Sequence, residues 1–283
     1  MCYNCTMRIY NLLKTNAEFY KIFRNNFTYH SSSIEGSTIT KEEHTKLSML
    51  NNKANVNDID FIIKEKINDA IENLNCIKLF DYMFSNYDEA LSHEIIKKYQ
   101  YILKEKSLLH LNVPNECGKY RSTYVKVGAL EGTPPYLIHE QMDSLLKDFS
   151  IRKIFLLDDI AEFHVRYETI HPFRDGNGRT GRIIMLKQCL LYNITPFDID
   201  SSTRNEYIDT ISLTQQTYDY SKMQNYFTKR QKDFLIKYKE YINSVQVDNH
   251  PNENLIINFL TKNGISSKKQ ICNSVKLSER LIK

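Results

Sequence analysis

The chain has 283 residues, of which 41% are hydrophobic and 25% charged, and its formal net charge at pH 7 is +4. This composition excludes disorder as the default state and provides an apolar core for one large domain or two smaller ones. No stretch has the roughly 18 consecutive apolar residues of a membrane helix, and the N-terminus lacks the apolar run of a secretion signal, so neither membrane residence nor secretion is expected.

The cysteines favour a reducing compartment, and we therefore expect a cytoplasmic protein. They are spread along a chain much longer than disulfide-stapled scaffolds, and several lie in apolar helical patterns where a thiol acts as a small hydrophobic group. Cys2 and Cys5 form a C-x-x-C, but no second pair completes a zinc site. The other four are Cys76, Cys117, Cys189 and Cys272.

Helical periodicity dominates the chain, which is predicted to be mostly α-helical. Apolar residues recur at three- and four-residue steps from Asn57 to about Phe84 and again from Leu91 to Leu103. The same spacing predicts further helices over residues 156–170, 178–191, 202–213 and 218–242. Glycine and proline are scarce, with eight and six copies. These patterns indicate a helical protein with few tight turns.

The one convincing hairpin lies between Tyr120 and Pro135. A loop containing Pro114, Asn115 and Gly118 precedes it. The hairpin sequence is then Tyr-Arg-Ser-Thr-Tyr-Val-Lys-Val followed by Gly-Ala-Leu-Glu-Gly-Thr-Pro-Pro. Aromatic and β-branched residues followed by glycine are typical of short strands joined by a turn.

A polar turn lies between two of the predicted helices and reads His171-Pro172-Phe173-Arg174-Asp175-Gly176-Asn177-Gly178-Arg179-Thr180-Gly181-Arg182. Gly176 and Gly178, on either side of Asn177, allow successive backbone N–H groups to converge at the start of a helix. The helix dipole reinforces such a phosphate cradle. Arg179 and Arg182 share one helix face because they are three residues apart, so their guanidinium groups can hold neighbouring phosphates.

Two side chains of the turn supply chemistry beyond phosphate binding. Asp175 places a carboxylate beside the cradle, which is how proteins usually hold Mg²⁺. His171 is the base within reach that titrates near neutral pH. A base, a metal carboxylate and a triphosphate cradle together predict transfer from a nucleotide to a hydroxyl, because the base takes the hydroxyl proton while metal and arginines neutralise the leaving phosphate.

The turn resembles the signature of the Fic family, H-P-F-x-[D/E]-G-N-G-R-x-x-R, and matches every fixed position over residues 171–182. Members of this family typically transfer AMP from ATP to a Ser, Thr or Tyr hydroxyl of a protein. The resemblance covers roughly residues 31–226. It implies an all-α fold with a Fic-type helical core and a β-hairpin flap, ATP as substrate, and Mg²⁺ or Mn²⁺ as the metal.

The resemblance also implies a role for each matching residue. His171 would be the general base and Asp175 the metal ligand. The implied nucleotide contacts are Gly176, Asn177 and Gly178 for the α-phosphate, Arg179 and Arg182 for the β- and γ-phosphates, and Arg204 and Tyr207 for adenine and ribose. The family flap adds a strand to the backbone of the protein target, a role implied here for Tyr124, Val125, Lys126 and Val127.

A short segment near the N-terminus, residues 31–36, reads Ser-Ser-Ser-Ile-Glu-Gly. Taken alone it is a helix end, with Glu35 one turn after Ser31 and Gly36 as the stop. Beside the signature it resembles the family's inhibitory pattern, [S/T]-x-x-x-E-[G/N]. The resemblance implies that Glu35 pairs with Arg182, removes the guanidinium from the γ-phosphate, and so auto-inhibits transfer.

The end of the chain, residues 250–283, resembles the first part of a winged helix-turn-helix. It carries six Lys and Arg against two Glu. Its third helix is too short for a complete major-groove reader, so a small helical appendage with a basic face fits equally well and DNA contact stays open. We divide the chain into an N-terminal helical region (1–88), a core (89–215), a connector (216–249) and this tail.

Two other motifs overlap the signature. The turn also matches the dinucleotide fingerprint G-x-G-x-x-G, but that motif follows a strand, whereas the preceding segment has helical spacing. Glu168 and His171 form an E-x-x-H, but a di-iron bundle needs two such pairs.

Three functions remain: AMP transfer to a protein, AMP removal or transfer of another nucleotide or phosphoryl group, and a nucleotide-sensing DNA-binding regulator. Self-modification and a homodimer stay open.

Overall fold

The computed structural model describes residues 3–50, 62, 64–127, 130–152 and 155–244. The side chains of Cys2, Cys5 and Cys272 and the whole basic tail lie outside these residues. The first six helices are α1 (Tyr3–Thr15), α2 (Ala17–Ile34), α3 (Lys41–Met49), α4 (Ile67–Ser85), α5 (His93–Lys104) and α6 (Leu108–Asn112). The next six are α7 (Ile138–Ser150), α8 (Leu157–Ile170), α9 (Asn177–Leu191), α10 (Arg204–Thr217), α11 (Ser221–Lys237) and α12 (Lys239–Ser244).

The hairpin expected between Tyr120 and Pro135 is present with two very short strands. Strand β1 (Lys126–Val127) pairs antiparallel with β2 (Leu130–Glu131), and Lys126 lies opposite Glu131. One further backbone hydrogen bond, from the Gly132 N–H to the Val125 carbonyl at 3.0 Å, extends the pairing by one residue on the side away from the tip. The two residues at the tip lie outside the described part of the chain.

The helix that the sequence predicts from Asn57 begins later, and this expectation is corrected. Residues Lys64–Lys66 form a 3-10 turn and α4 starts at Ile67, while residues 57–61 and 63 are outside the described chain. The three residues of the turn are charged and add nothing to the apolar stripe. Lys66 instead pairs with Glu43 of α3 at 3.1 Å, which directs this segment toward α3.

The last predicted helix, over residues 218–242, is divided in two by Tyr238. The residue is 3% exposed. Its ring packs on Phe19 of α2 and on Phe234, with ring centroids 5.4 and 4.7 Å apart. Helix α11 therefore ends where an aromatic side chain must enter the core, and α12 continues as a separate short helix.

One hydrophobic cluster of buried residues includes side chains from α1, α2, α4 and α5 and from α7 through α12. Phe23 of α2 packs edge-on against Phe80 of α4 and Phe234 of α11, with centroids 5.8 and 5.3 Å apart. Phe27, one turn later on α2, also contacts Phe80, at 5.6 Å. Each such aromatic burial contributes on the order of 2 kcal/mol. The end of α2, which carries residues 31–36, is thereby fixed against the centre of the molecule.

Helix α9 is the most enclosed helix among those described, since every residue from Arg179 to Leu190 is buried. The polar turn connects it to α8. Helix α8 ends at His171, whose left-handed backbone (φ 50°) terminates the helix before Pro172. Helix α9 then begins directly after Gly176, which is also left-handed (φ 87°). Two left-handed residues thus mark the two ends of the turn.

Among the described residues, no helix is both long enough and apolar enough to cross a membrane. The cysteines whose side chains are described, Cys76, Cys117 and Cys189, are buried free thiols. Burial raises the pKa of the Cys76 thiol, which keeps it protonated at neutral pH.

Candidate active site

The turn is closed by the side chain of Asn177. Its Oδ1 accepts the Phe173 N–H and its Nδ2 donates to the Phe173 carbonyl, both at 2.8 Å. Phe173 itself is fully buried. The Asn177 side chain is thus engaged within the turn, and the α-phosphate contact that the resemblance implied for this residue stays a prediction. Its structural contribution is therefore to hold the backbone of the turn in shape.

Glycine at position 178 leaves room for an anion at the start of α9. A Cβ there would lie 2.2 Å from Oε1 of Glu35 and 3.0 Å from Nη1 of Arg182. The Glu35 carboxylate thus lies against the first turn of α9, where the helix dipole and free N–H groups favour negative charge. A carboxylate of the chain itself occupies the position predicted for a phosphate.

Arg182 is the most completely paired cation of the site. Its Nη2 donates to Glu35 Oε1 at 2.7 Å and to the Ser31 carbonyl at 2.8 Å, and its Nε donates to Ser31 Oγ at 2.9 Å. The Arg182 side chain is 2% exposed and that of Glu35 is 36% exposed. Desolvation opposes the charge of Glu35, but Arg182 and then Arg179 outweigh it and hold the pKa of Glu35 below its ordinary value.

The segment that carries Glu35 ends as its sequence predicts. Gly36 has φ 88° and donates its N–H to the Ser33 carbonyl at 3.0 Å, which stops α2. Arg204 of α10 donates from Nε to the Ile34 carbonyl at 2.7 Å. Arg204 therefore supports the end of α2, and the nucleotide contact that the resemblance implied for it stays a prediction.

Tyr207 also lies away from open solvent. It is 1% exposed, its hydroxyl bonds His164 Nε2 at 2.7 Å, and the Arg182 guanidinium lies 5.8 Å from the centre of its ring. The adenine or ribose contact that the resemblance implied for Tyr207 stays a prediction. In the structure the ring lies beside the Arg182 guanidinium.

Asp175 and Arg179 belong to a charge network that sequence reasoning missed. Lys104 of α5 donates to Asp175 Oδ2 at 2.5 Å and to Glu72 Oε1 of α4 at 2.8 Å. Arg179 donates to Glu72 Oε2 at 2.6 Å and lies 3.8 Å from Asp175. Lys104 is fully buried, whereas the Asp175 side chain is 51% exposed. Lys104 and Arg179 outweigh desolvation and hold the pKa of Asp175 below its ordinary value.

The local sequence does not indicate that Glu72 and Lys104 belong to the site. Both occur in helical segments rich in Lys, Asn and Glu, where a charged residue is usually on the surface. They reach the turn from 107 and 71 positions away. A co-varying alignment is the kind of signal that detects such pairs.

His171 is held with one ring nitrogen engaged. Its Nδ1 donates to the carbonyl of Glu168 at 3.2 Å, which leaves Nε2 as the unprotonated nitrogen. Its side chain is 22% exposed. Burial, reinforced by Arg121, lowers the pKa of His171, so the neutral form that can accept a proton predominates at pH 7.

Glu168, one turn before His171, carries a carboxyl group in the core. Its Oε2 lies 3.8 Å from His171 Nδ1, and its Oε1 has no hydrogen-bond partner. A Cβ on Gly181 would lie 2.3 Å from that oxygen, so only glycine fits there. Burial raises the pKa of Glu168 to about 8, with Arg182 opposing and Glu35 reinforcing the shift.

Arg121 fastens the hairpin segment to the end of α8. Its guanidinium donates to the carbonyls of Thr123, Thr133, Ile170 and His171, at 2.7, 2.6, 3.3 and 2.8 Å. Its own N–H bonds the Pro172 carbonyl at 2.9 Å. This arrangement places β1 beside the turn.

The residues for which the sequence implied target docking have different environments. The Tyr124 side chain is 70% exposed. Lys126 is also exposed, Val125 is half-buried, and the side chain of Val127 lies outside the described residues. The hairpin therefore offers exposed side chains next to the turn.

Comparisons with known proteins find similar sequences. Residues 90–189 match the family described as the Fic/DOC family. The chain is 25% identical over 193 residues to a protein named protein adenylyltransferase fic-1 from Caenorhabditis elegans, and 30% identical over 198 residues to protein adenylyltransferase Fic from Nematostella vectensis. These matches cover 66% and 65% of this chain but only 36% and 42% of the relatives, so the chain spans less than half the length of these relatives.

Solved structures are similar in fold. A Fic-domain-containing signalling protein from Bacteroides thetaiotaomicron superposes with a TM-score of 0.65 at 18% identity, over 87% of this chain and 100% of that one. A Fic family protein from Desulfovibrio desulfuricans gives 0.64 at 18% identity, over 97% and 82%. The fold and the turn define a helical protein of Fic-type architecture. Within this architecture, residues 90–189 are the part of the chain that is similar in sequence to the Fic/DOC family.

Proposed function

We propose that the protein transfers AMP from ATP to a Ser, Thr or Tyr hydroxyl of a protein target, and that Glu35 holds it in an inhibited state. The observation that carries this proposal is the Glu35 carboxylate, which bonds Arg182 and lies over Gly178 at the start of α9. The names of the curated relatives support adenylyl transfer and ATP as the substrate.

The reaction requires a base for the acceptor hydroxyl. Neutral His171, with Nδ1 bonded to the Glu168 carbonyl, takes the hydroxyl proton on Nε2. The acceptor oxygen forms a bond to the α-phosphorus, and the bond between this phosphorus and the bridging oxygen breaks, so diphosphate leaves. Arg179 and Arg182 neutralise the charge that develops on diphosphate, and backbone N–H groups at the start of α9 hold the α-phosphate.

Asp175 suits the divalent metal that nucleotide chemistry of this kind uses. Its carboxylate is half-exposed, ionised and adjacent to the cradle, and oxygen donors of this type hold Mg²⁺ or Mn²⁺. Lys104 engages one oxygen of the carboxylate and leaves the other turned toward Arg179 at 3.8 Å. When bound, the metal would neutralise phosphate charge.

Inhibition follows from two effects of one side chain. Glu35 neutralises Arg182, and its carboxylate occupies the anion position beside Gly178. A triphosphate that enters therefore meets an occupied cradle and a paired arginine, and we expect its α-phosphate to be misaligned with His171. The exposed side of Glu35 makes its withdrawal from Arg182 feasible without unfolding α2.

Removal of AMP from a modified protein is a second candidate. The lowered pKa of Glu35 keeps a carboxylate ionised beside the cradle, where it can orient a water molecule. The DNA-binding alternative depends on residues 250–283, which lie outside the described residues.

Labelled ATP tests both candidates. Wild type, Glu35→Gly and His171→Ala are incubated with Mg²⁺ and ATP labelled at the α- or the γ-phosphate, and label retained on protein is measured. We expect retention of α-label only, increased about tenfold or more in Glu35→Gly and absent in His171→Ala. Glu42→Gly is the matched control because it removes an exposed carboxylate on α3.

Other outcomes would contradict the proposal. Retained γ-label indicates phosphoryl transfer, and equal α-label in wild type and Glu35→Gly rules out the inhibitory role of Glu35. If no variant retains label, the reverse reaction is tested. Wild type and Glu35→Gly are each incubated with an AMP-modified peptide, and released AMP is measured. Release of AMP by wild type, lost in Glu35→Gly, would then favour AMP removal.

A further inference from the structure

A second group of ligand-type side chains lies at the start of helices α5 and α7, apart from the nucleotide turn. His93 is the first residue of α5, and His139 and Asp143 are four residues apart on α7, so they share one face. His93 Nε2 and His139 Nδ1 bond the two different carboxylate oxygens of Asp143, at 2.8 and 2.9 Å. The two imidazole rings are stacked with centroids 4.8 Å apart.

We propose that His93, His139 and Asp143 bind Zn²⁺ or a related late first-row divalent ion. Their ligand atoms all lie within 4.8 Å of one another, and within the described residues no other group of three such side chains meets this criterion. Two imidazoles with one carboxylate form a donor set that suits zinc, whereas Mg²⁺ and Ca²⁺ prefer oxygen ligands alone. This site is independent of the proposed adenylyl transfer.

The spacing of the three ligands requires little rearrangement. Zinc binds nitrogen and oxygen at about 2.0 to 2.2 Å, so tetrahedral ligand atoms are roughly 3.3 Å apart. The two contacts to Asp143 are already slightly shorter than this, and the two nitrogens lie within 4.8 Å of each other, so small side-chain rotations bring the three ligand atoms to one ion. The His139 side chain is 66% exposed and that of Asp143 is 59% exposed, which allows the rotation. Water would fill the remaining position.

His93 has the second hydrogen bond that metal-binding histidines usually make. Its Nδ1 lies 2.8 Å from the Tyr120 hydroxyl, and its side chain is only 15% exposed. With an ion on Nε2, the ring proton moves to Nδ1 and is donated to the Tyr120 oxygen, which fixes the ring.

Asp143 is ready to act as a ligand. Its two carboxylate oxygens already accept hydrogen bonds from the two imidazoles, one each, at 2.8 and 2.9 Å. The site is anchored on one side by His93 and open to water on the other. An ion would replace two surface hydrogen bonds with three coordinate bonds and so link α5 to α7.

Tyr120 connects the proposed metal site to the nucleotide turn, since it bonds His93 and packs on Phe173. The Tyr120 ring packs on Phe173 with centroids 5.4 Å apart, and Arg121 follows it directly. A bound ion would therefore stabilise the segment that leads into the hairpin. Because it binds only the folded arrangement of the two helices, it should also raise the melting temperature.

Calorimetric titration of the chelator-treated full chain with ZnCl₂ tests the site, with no nucleotide present. We expect one ion per chain and an increased melting temperature. His139→Ala and Asp143→Asn, both at exposed positions, should each weaken binding about tenfold or more, and Tyr120→Phe should weaken it less. Asp148→Asn, a half-exposed carboxylate on the same helix, is the matched control and should bind as wild type does.

The Cys2–Cys5 pair provides the competing explanation for zinc uptake. Cys2→Ser/Cys5→Ser should bind like wild type, and bound Co²⁺ should show no thiolate charge-transfer band. The proposal is overturned if wild type takes up no zinc, if His139→Ala and Asp143→Asn bind normally, or if the double serine variant loses the ion. None of these outcomes depends on adenylyl transfer.

Discussion

Among individual residues, Glu168 has the most unusual environment in the site. Its carboxyl group is buried one turn before His171, and one oxygen lacks a hydrogen-bond partner. Arg182 favours the ionised form, but burial dominates and raises the pKa to about 8. At neutral pH the group is therefore protonated, so the core beside His171 contains a neutral acid.

Glu168→Gln should reduce the dependence of stability on pH. The carboxyl group titrates near 4.5 in the unfolded chain and near 8 in the folded protein. Its stabilising contribution is thus complete below about pH 4.5 and is lost as the pH rises through 8. Each tenfold difference in proton affinity corresponds to about 1.4 kcal/mol, so we expect a loss of a few kcal/mol. Glutamine has no proton to lose and avoids this decline.

Urea unfolding at pH 5 and pH 8.5 measures this effect. The free energy of unfolding of wild type should fall more between the two pH values than that of Glu168→Gln. Glu140→Gln, an exposed site on α7, serves as the control and should follow wild type. Parallel pH profiles for wild type and Glu168→Gln would show that Glu168 is ionised in the folded protein.

The sequence predicted the site residues that lie close together along the chain. It did not predict those that come to the site from distant segments. The turn supplies Asp175, Arg179 and His171 within one short segment, and its resemblance to a known signature also indicated the Glu35 partner of Arg182. Glu72 and Lys104 were not predicted, because a charged residue in a polar helix carries no local sign that it is buried. Their burial depends on how α4 and α5 pack against α9.

Among structural elements, the hairpin has the weakest pairing of its own, with strands of two residues each. Its position depends mainly on Arg121, which donates to four carbonyls across the hairpin segment and the end of α8. These acceptors include the last carbonyls of α8, which have no partner within the helix. A single side chain therefore aligns the hairpin with the turn.

Arg121→Lys should loosen the hairpin and destabilise the protein. A lysine cannot reach all four carbonyls, and loss of two or three net hydrogen bonds corresponds to about 2 to 3 kcal/mol. The measurement is chemical denaturation combined with hydrogen exchange of the hairpin amides. Arg174→Lys in the turn, exposed and paired with Glu116, should change stability by less than about 0.5 kcal/mol. Equal effects of the two substitutions would contradict this account.

Apolar spacing predicted the helices well where a helix has one continuous buried stripe. The observed helices α8 and α9 agree with the predicted ranges to within one residue. The prediction was wrong at the start of α4 and at Tyr238, where contacts with α3 and with α2 decide the helix ends. Such contacts are tertiary and leave no period in the sequence.

For the whole molecule, the main feature is that the N-terminal helices complete the site. Helix α2 supplies Ser31 and Glu35 to Arg182 of α9, and its phenylalanines pack on α4 and α11. Helix α4 supplies Glu72 to Arg179. The division into regions 1–88, 89–215 and 216–249 stays a prediction, since one apolar cluster includes residues of all three.

A fragment of residues 89–215 should not fold cooperatively. It would expose the surface that Phe80, Phe227 and the α2 phenylalanines cover, and it would leave Arg182 and Arg179 without their carboxylate partners, a cost of several kcal/mol. Thermal denaturation followed by near-ultraviolet circular dichroism compares it with residues 3–244, which retain all twelve described helices. A sharp transition in the fragment at the temperature of the longer chain would show that the core is autonomous.

The charges around the turn have a further consequence for ligand binding. Glu35, Glu72 and Asp175 balance Lys104, Arg179 and Arg182, so these six groups are electroneutral together. An incoming polyphosphate adds several negative charges to this balanced set, and these must be offset by accompanying cations or by protons taken from water. Nucleotide binding is therefore coupled to the uptake of cations or protons from the solution. Calorimetric binding heats that vary with the ionisation enthalpy of the buffer would reveal the protons, and identical heats would assign the compensation to cations alone.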